Sequence, residues 1–311
     1  MTNNLKNATK EEIHEFLHGS DPEQHIVALE YGYRTGKIYK IKECPVRGKI
    51  VETDTFTPFC WVGNLSKKNF YQNNKHKQKA AMTKYGIIVD RLESSDDERL
   101  EEGLTYMIKT TKSYRDLVSF FRQGGLNPWG MDNRDSIQIL PPIEQYLIQK
   151  KKRLFKGFEE YDDVHRLVFD LETTALDPND GRIFMVGIKD NRGYEKVIEV
   201  KDTPESEIEA IYEFFDIIDE IKPSIIGGYN SSNFDWNWLF KRAEILGMNT
   251  KEFKTLNPNE DYKIKDGVLK LGAEIEDYKQ IKIWGYNSID IAHSVRRAQT
   301  INSEIKSWGL K

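Results

Sequence analysis

Residues 166–174 read Arg-Leu-Val-Phe-Asp-Leu-Glu-Thr-Thr and combine an apolar strand with two carboxylates. The apolar residues predict a buried strand, and alternation along it places Asp170 and Glu172 on one face. Two like charges on a buried strand repel each other and are poorly solvated. Either the two groups share a proton or a bound cation neutralises them, and we expect a divalent metal ion.

A third carboxylate, Asp235, follows a second apolar strand that reads Ser-Ile-Ile-Gly-Gly-Tyr-Asn over residues 224–230. A site made only of oxygen ligands suits magnesium or manganese better than zinc. The pattern Asp-x-Glu by itself is also common at solvated strand ends. The prediction of a metal site therefore depends on the two segments together.

The second segment has the form Asn-x-x-x-Phe-Asp at a predicted junction between strand and helix. With the first segment, it resembles the 3′–5′ proofreading exonuclease of family B DNA polymerases of the bacteriophage and archaeal kind. Asp170 and Glu172 match that family's first motif. Asn230, Phe234 and Asp235 match its second motif.

The resemblance implies hydrolysis of the terminal phosphodiester bond by two Mg²⁺ or Mn²⁺ ions. In that mechanism Asp170 would bridge both ions, and Glu172 would hold the ion that carries the attacking water. Asp235 would anchor the second ion. Asn230 and Phe234 would shape the pocket around the terminal nucleotide of a primer 3′ end.

The family's third motif, Tyr-x-x-x-Asp on a late helix, has two formal matches in this chain. One runs from Tyr262 to Asp266 in a polar stretch, and the other runs from Tyr286 to Asp290 in a strand-like stretch. Asp290 and Asp266 are thus candidates for a fourth metal ligand. We favour the alternative that the chain ends before the true third motif.

The apolar patterns after residue 165 predict three neighbouring strands, then helix, strand and helix, with a polar insertion over 250–280. This order indicates an α/β layer with a mixed sheet, α+β over the whole chain, and the resemblance implies a ribonuclease H-like fold. We expect a boundary near residue 160. Residues 1–160 would form a smaller mixed α/β domain of the family B N-terminal type, and residues 161–311 the exonuclease domain, incomplete at its C-terminus.

A Thr-x-x-Glu box at Thr9 and Glu12 predicts a helix that ends at Gly19. It contains His14-Glu-Phe-Leu-His18, the helical spacing of a zinc protease, although a solvated N-terminal helix is the interpretation we prefer. Strands are predicted over 26–33, 37–41 and 49–51, and a helix over 103–125. Residues 56–62 resemble a strand of the family's N-terminal domain.

From Lys67 to Lys84 the chain carries six lysines, with Phe70 and Tyr71 interleaved among them. This composition predicts contact with single-stranded template DNA, with lysines on phosphates and an aromatic ring stacked on a base. A solvated helix face is the alternative. The residues expected to make the contact are Lys67, Lys68, Phe70, Tyr71 and Lys75. The acidic stretch 93–102 is expected to be a surface.

The net charge is −4, so the protein as a whole does not attract nucleic acid. Local basic patches and bound metal ions would have to provide the attraction. Two cysteines and strand-length apolar runs favour the cytoplasm, or a host's cytoplasm if the protein is viral, and exclude a membrane span.

Motifs of a polymerase palm are missing from the sequence, so we expect a proofreading portion that lacks palm, fingers and thumb. The remaining polymerase segment would lie in cis or on a separate chain, and a sliding clamp is a candidate partner. Two alternatives stay open. One is a module that binds single-stranded DNA without hydrolysis, and the other is a free-standing exonuclease in which Asp290 completes the site.

Overall fold

The structure is a computed structural model and describes residues 9–12, 15, 19–44, 48–92, 103–302, 304–307 and 309. The chain divides into two compact units. The first consists of Met1–Lys40 and Val51–Lys156, and the second of Ile41–Ile50 and Gly157–Lys311. Within the described ranges, no helix is both long and apolar enough to cross a bilayer.

The N-terminal helix has the predicted cap. The backbone N–H of Glu12 donates to the Thr9 hydroxyl at 3.1 Å, and the Thr9 N–H donates to the Glu12 carboxylate at 2.8 Å. Gly19 adopts a left-handed φ of 71° and donates to the Glu15 carbonyl, as a helix C-terminus requires. His14 and His18 lie outside the described residues, as does the acidic stretch 93–102, so the zinc hypothesis stays untested.

Between residues 19 and 150, the described part of the chain contains two sheets and three α-helices. A three-stranded sheet has the order β1-β2-β3, and a four-stranded antiparallel sheet has the order β5-β6-β4-β7. The strands are β1 (Ile26–Gly32), β2 (Lys37–Cys44), β3 (Gly48–Asp54), β4 (Phe59–Val62), β5 (Ile87–Arg91), β6 (Tyr106–Thr110) and β7 (Ile137–Gln138). The helices are α1 (Lys75–Tyr85), α2 (Tyr114–Gln123) and α3 (Pro142–Lys150).

The predicted helix over 103–125 is wrong in its first half. Residues Tyr106–Thr110 form β6 because their alternation buries Ile108 and Thr110 between neighbouring strands. The helix begins only after Ser113, whose hydroxyl and Asp116 form a capping box. α2 then buries Phe120 and Phe121 in the core of the first unit.

The second unit is built on a five-stranded sheet in the order β10-β9-β8-β11-β14. β10, β9 and β8 pair antiparallel, whereas β8, β11 and β14 run parallel, which confirms the predicted mixed sheet. The strands of this unit are β8 (Arg166–Thr173), β9 (Ile183–Asp190), β10 (Glu195–Glu199), β11 (Ile225–Gly228), β12 (Lys263–Leu271), β13 (Glu274–Lys282) and β14 (Asn287–Asp290). Its helices are α4 (Pro204–Ile221), α5 (Asp235–Ile245) and α6 (Ile291–Ile301).

Aromatic rings fill the space between this sheet and helices α4 and α5. Phe169 of β8 lies 4.7 Å from the ring of Trp236 and 4.8 Å from the ring of Phe214, measured between centroids. Each fully buried ring contributes roughly 2–3 kcal/mol through removal of apolar surface from water. This packing fixes the position of α5, which begins at Asp235.

The polar stretch 250–280 is more than a surface insertion. Its second half forms the antiparallel hairpin β12–β13, and its first half sends two aromatic side chains into the core. Phe253 stacks on Phe215 at 3.9 Å, and Tyr262 meets Phe215 edge-on at 4.9 Å. The scarcity of apolar residues concealed this contribution, since two large rings suffice to anchor the segment.

A buried acid from the early part of the chain belongs to the second unit. Glu43 is 7% exposed, accepts a hydrogen bond of 2.5 Å from the Ser224 hydroxyl, and pairs with Arg192. Ser224 directly precedes β11. Glu43 therefore supports the end of the sheet from which β11 starts.

Candidate active site

The three parallel strands of the second unit end at one edge of the sheet. β11 pairs with β8 through Gly227 opposite Val168, and with β14 through Gly228 opposite Asp290. Ligands of α/β sheets bind at the carboxyl ends of such strands. The end of β8, the loop after β11 and the last residue of β14 therefore meet where a site is expected.

Asp170 and Glu172 lie on one face of β8, as alternation predicted. Leu167, Phe169 and Leu171 are buried on the other face. The prediction that Val168 is buried with the rest of this strand is wrong. Val168 is 42% exposed, and the two carboxylates on the same face are exposed as well. Partial desolvation and repulsion from Glu172 nevertheless raise the pKa of Asp170.

Asp235 is the first residue of α5 and is only 2% exposed. One of its carboxylate oxygens accepts a hydrogen bond of 3.0 Å from the backbone N–H of Leu171, the residue between Asp170 and Glu172. Burial, with repulsion from Asp170 and Asp290, raises the pKa of Asp235 to about 7 despite this donor. The structure thus joins the carboxylates of the two predicted motifs.

The loop between β11 and α5 is a tight turn. Asn230 is half-buried with a left-handed φ of 59°, and its carbonyl accepts the N–H of Phe234 at 3.0 Å. Phe234 is half-buried against the core. Gly228 cannot carry a side chain here, because a Cβ would come within 2.6 Å of the Ser231 Cβ.

Asp290 supports this loop from β14. Its Oδ1 accepts hydrogen bonds from the backbone N–H of Asn230 at 2.9 Å and of Ala292 at 3.0 Å, and its Oδ2 accepts from Ser232 at 2.9 Å. Both oxygens are therefore engaged, and the residue caps α6 as well.

The tyrosines of the two formal third motifs lie away from the carboxylates they would accompany. Tyr262 is buried in the aromatic core, and Asp266 pairs with Lys279 on the exposed hairpin. Tyr286 precedes the first residue of β14, whereas Asp290 is the last residue of that strand. The two members of the second pair thus lie at opposite ends of the strand.

The prediction that Phe70 and Tyr71 stack on a base of single-stranded DNA is wrong. Phe70 and Tyr71 are 4% and 5% exposed, and the Tyr71 hydroxyl donates to the Phe120 carbonyl at 2.7 Å. Neither ring can stack on a base. Lys75 is exposed and Lys68 half-buried, while the side chain of Lys67 lies outside the described part of the structure.

Among the side chains that the structure describes, no three or more His, Cys, Asp or Glu groups are already close enough together to hold a metal ion. The acids at the sheet edge are coupled through their charges, since Asp170 and Asp290 both raise the pKa of Asp235. They are not a preassembled metal cage.

Residues 150–311 match the family described as DNA polymerase family B, exonuclease domain. This chain belongs to that family. The match covers about half of this chain. It includes Asp170, Glu172, Asp235 and Asp290, the carboxylates at the edge of the sheet.

Curated relatives of this family B chain are archaeal. The DNA polymerase of Pyrococcus glycovorans is 32% identical over 173 residues, which are 52% of this chain and 20% of the relative. DNA polymerase 1 of Pyrococcus abyssi is 36% identical over 119 residues, which are 35% of this chain and 15% of the relative. A bacteriophage origin therefore stays a prediction.

A solved structure of a family B polymerase has a similar fold. The family B DNA polymerase of Pyrobaculum calidifontis matches with a TM-score of 0.56 at 17% identity, over 85% of this chain and 36% of that chain. This likeness confirms the predicted α/β fold with its ribonuclease H-like mixed sheet. The chain thus spans well under half of the polymerases it resembles.

Proposed function

We propose that this chain hydrolyses the 3′-terminal phosphodiester bond of DNA, as the proofreading portion of a family B polymerase. The observation that carries the proposal is the hydrogen bond from the Leu171 N–H to Asp235. It fixes the carboxylate of the second motif beside the strand that presents Asp170 and Glu172. Family membership of residues 150–311 supports the same reaction.

The donor set fits two divalent ions, Mg²⁺ or Mn²⁺. Asp170, Glu172 and Asp235 offer only oxygen ligands, and burial together with repulsion from neighbouring carboxylates raises the pKa of Asp170 and of Asp235. A bound cation would relieve both effects. Bound ions would activate water and stabilise the leaving 3′ oxygen. Asp290 is not in the proposed ligand set, because backbone N–H groups already engage both of its oxygens.

Substrate contact is assigned to the loop that Asp290 supports. Asn230 and Phe234 are half-buried within it and would touch the terminal nucleotide of a primer 3′ end or single strand. In this proposal residues 1–160 are the N-terminal domain and 161–311 the exonuclease domain. The rest of the polymerase, in cis or on a separate chain, and a sliding clamp are the proposed partners, and the cytoplasm the proposed location.

The test follows a 5′-labelled single-stranded oligonucleotide with Mg²⁺ or Mn²⁺. The wild-type chain should shorten it stepwise from the 3′ end. Asp170→Asn and Asp235→Asn should each lower the rate more than about 100-fold, since changes merely adjacent to metal ligands cost 10–100-fold. Asp216→Asn, which alters an exposed acid paired with Lys254, is the matched control. A wild-type rate in folded Asp170→Asn would refute the assignment.

A second candidate is a module that binds single-stranded DNA without hydrolysing it. The lack of a preassembled metal cage among the described residues favours it. Binding of the oligonucleotide by the wild-type chain, with no shortening at any Mg²⁺ or Mn²⁺ concentration, would select this alternative. A free-standing exonuclease completed by Asp290 is the third candidate, and the Mn²⁺ dependence of Asp290 variants tests it.

A further inference from the structure

A histidine on α6 has a buried ring nitrogen without a hydrogen bond. His293 follows Asp290, the residue that caps α6, by one helical turn, and its side chain is 12% exposed. Its Nε2 is buried and, among the residues that the structure describes, has no hydrogen-bond partner. Such an atom destabilises the free protein, which points to a partner that the nitrogen gains in another state.

The nitrogen lies near a carboxylate oxygen that has room for one more donor. Asp290 Oδ2 is 3.8 Å from His293 Nε2. A carboxylate oxygen can accept two hydrogen bonds, and within the described residues Oδ2 accepts one, from the Ser232 N–H, whereas Oδ1 accepts two. A distance of 3.8 Å is too long for a hydrogen bond, but a closure of about 1 Å would make one.

The β12–β13 hairpin holds the same imidazole ring. Tyr278 of β13 meets the His293 ring edge-on, at 4.5 Å between centroids. Gly267 lies opposite Tyr278 in β12, and a Cβ at Gly267 would come within 2.7 Å of the tyrosine ring. Glu276 of β13 also pairs with Arg296 of α6. The hairpin is therefore anchored to the part of α6 that carries His293.

The surroundings of His293 favour a neutral ring. Burial lowers the pKa of His293 below its ordinary value; Asp290 and Glu276 oppose this shift, whereas Arg297 and Arg296 add to it. A neutral imidazole has one N–H donor and one acceptor nitrogen, so the ring can carry its hydrogen on Nε2, the nitrogen nearer to Asp290. The contact that this geometry prepares is a hydrogen bond rather than an ion pair.

We propose that His293 is a positioning residue of the candidate exonuclease site and donates from Nε2 to Asp290 Oδ2 when a terminal nucleotide is bound. Asp290 already accepts from the N–H groups of Asn230 and Ser232, so the added bond would fix the loop that carries Asn230 and Phe234. Hydrogen bonds of active sites are often long without substrate and shorten in its complex. The inference rests on the proposed function and deepens it, because His293 acts through Asp290 without touching the nucleotide.

The experiment titrates the protein with thymidine 5′-monophosphate and Mg²⁺ in a calorimeter. This ligand has no phosphodiester bond, so the measurement does not depend on hydrolysis. His293→Leu should bind the nucleotide about tenfold more weakly, the size of one lost buried hydrogen bond, and should raise KM for 3′ shortening by about the same factor with kcat within about twofold. His293→Gln, whose amide nitrogen can reach Asp290, should bind as the wild type does.

Stability separates this role from a structural one. Because Nε2 has no partner in the free protein, an apolar side chain of similar size should not weaken the fold. The urea midpoint of His293→Leu should therefore equal or exceed that of the wild type. Ser294→Leu, at the next and exposed position of α6, is the matched control and should leave both the midpoint and the nucleotide affinity unchanged.

The contact with the hairpin gives a second test of the same path. Tyr278→Ala should lose nucleotide affinity as His293→Leu does, whereas Tyr278→Phe keeps the ring and should not. The double variant Tyr278→Ala, His293→Leu should lose no more than either single variant, because both changes remove one contact.

Unchanged nucleotide affinity in His293→Leu, or a loss that His293→Gln fails to restore, would overturn the inference. The exonuclease proposal is judged separately, by the shortening of the labelled oligonucleotide. Shortening by His293→Leu with the wild-type KM would refute the role of His293 alone. A wild-type chain that shortens nothing, but whose nucleotide affinity still falls in His293→Leu, would refute the hydrolysis alone.

Discussion

Asp235 combines burial with two acidic neighbours, and this combination makes the metal-free protein sensitive to pH. Its folded pKa of about 7 lies above the ordinary value of 3.8. Between these values the folded protein keeps a proton that the unfolded chain releases. The free energy of unfolding therefore falls as pH rises, by about 1.4 kcal/mol per pH unit from this group.

We predict that Asp235→Asn removes most of this pH dependence, because an amide cannot ionise but can still accept from the Leu171 N–H. Urea unfolding in EDTA between pH 5 and pH 8 measures it. Asp216→Asn, at an exposed ion pair, should retain the wild-type behaviour. Identical pH dependence in Asp235→Asn and wild type would show that another group controls the effect.

Asp290 offers a second prediction at the scale of single residues. Asp290→Ala leaves three backbone N–H groups without their acceptor and should lower the free energy of unfolding by about 1–3 kcal/mol in metal-free buffer. It should also slow hydrolysis, because the loop that carries Asn230 and Phe234 loses its support.

The Mn²⁺ dependence separates support from ligation. A displaced loop is not restored by more metal, so the rate of Asp290→Ala should stay low at every Mn²⁺ concentration. A variant of wild-type stability whose rate recovers at high Mn²⁺ would instead identify Asp290 as a fourth ligand.

At the scale of elements, one buried ion pair holds α5 in place. Glu207 of α4 is 1% exposed and takes two hydrogen bonds, of 2.9 and 2.8 Å, from Arg242 of α5. Its Oε1 also accepts from the Ile183 N–H of β9 at 2.8 Å. The pair thus ties two helices to the sheet, and α5 carries Asp235 at its start.

Breaking this pair should be costly. We predict that Glu207→Ala lowers the free energy of unfolding by about 3 kcal/mol, since it leaves the half-buried Arg242 guanidinium without its counter-charge and the Ile183 N–H without its acceptor. The double variant Glu207→Leu, Arg242→Met should lose less free energy of unfolding than Glu207→Ala, because it leaves no unpaired charge. Exposed Lys254 and Asp216 form the control pair, whose removal should cost under about 1 kcal/mol in the same urea titration.

At the scale of the whole molecule, local pattern was sufficient for some features and insufficient for others. Alternation correctly placed Asp170 and Glu172 on one face, and the start of α5 was expected close to Asp235. Alternation along one strand does not say what covers each face, so the exposure of Val168 could not be foreseen.

Features that depend on contacts between residues far apart in the sequence could not be predicted from local patterns. Phe70 and Tyr71 looked like a stacking platform, but α2 brings Phe120 and Phe121 against them. Asp290 was a ligand candidate because it completes a Tyr-x-x-x-Asp match, and its hydrogen bonds from the N–H groups of Asn230 and Ser232, which cross about 60 positions of chain, could not be foreseen. Such pairings leave no periodic trace in the sequence.

The contribution of Glu43 to the second unit has a consequence for how the protein folds. Its hydrogen bond to Ser224 joins residues 181 positions apart. The entropic cost of closing so long a loop grows only with the logarithm of its length, whereas folding rates fall as contacts become more distant. During synthesis Glu43 leaves the ribosome long before Ser224 exists, so the sheet that carries the carboxylates reaches its final contacts late.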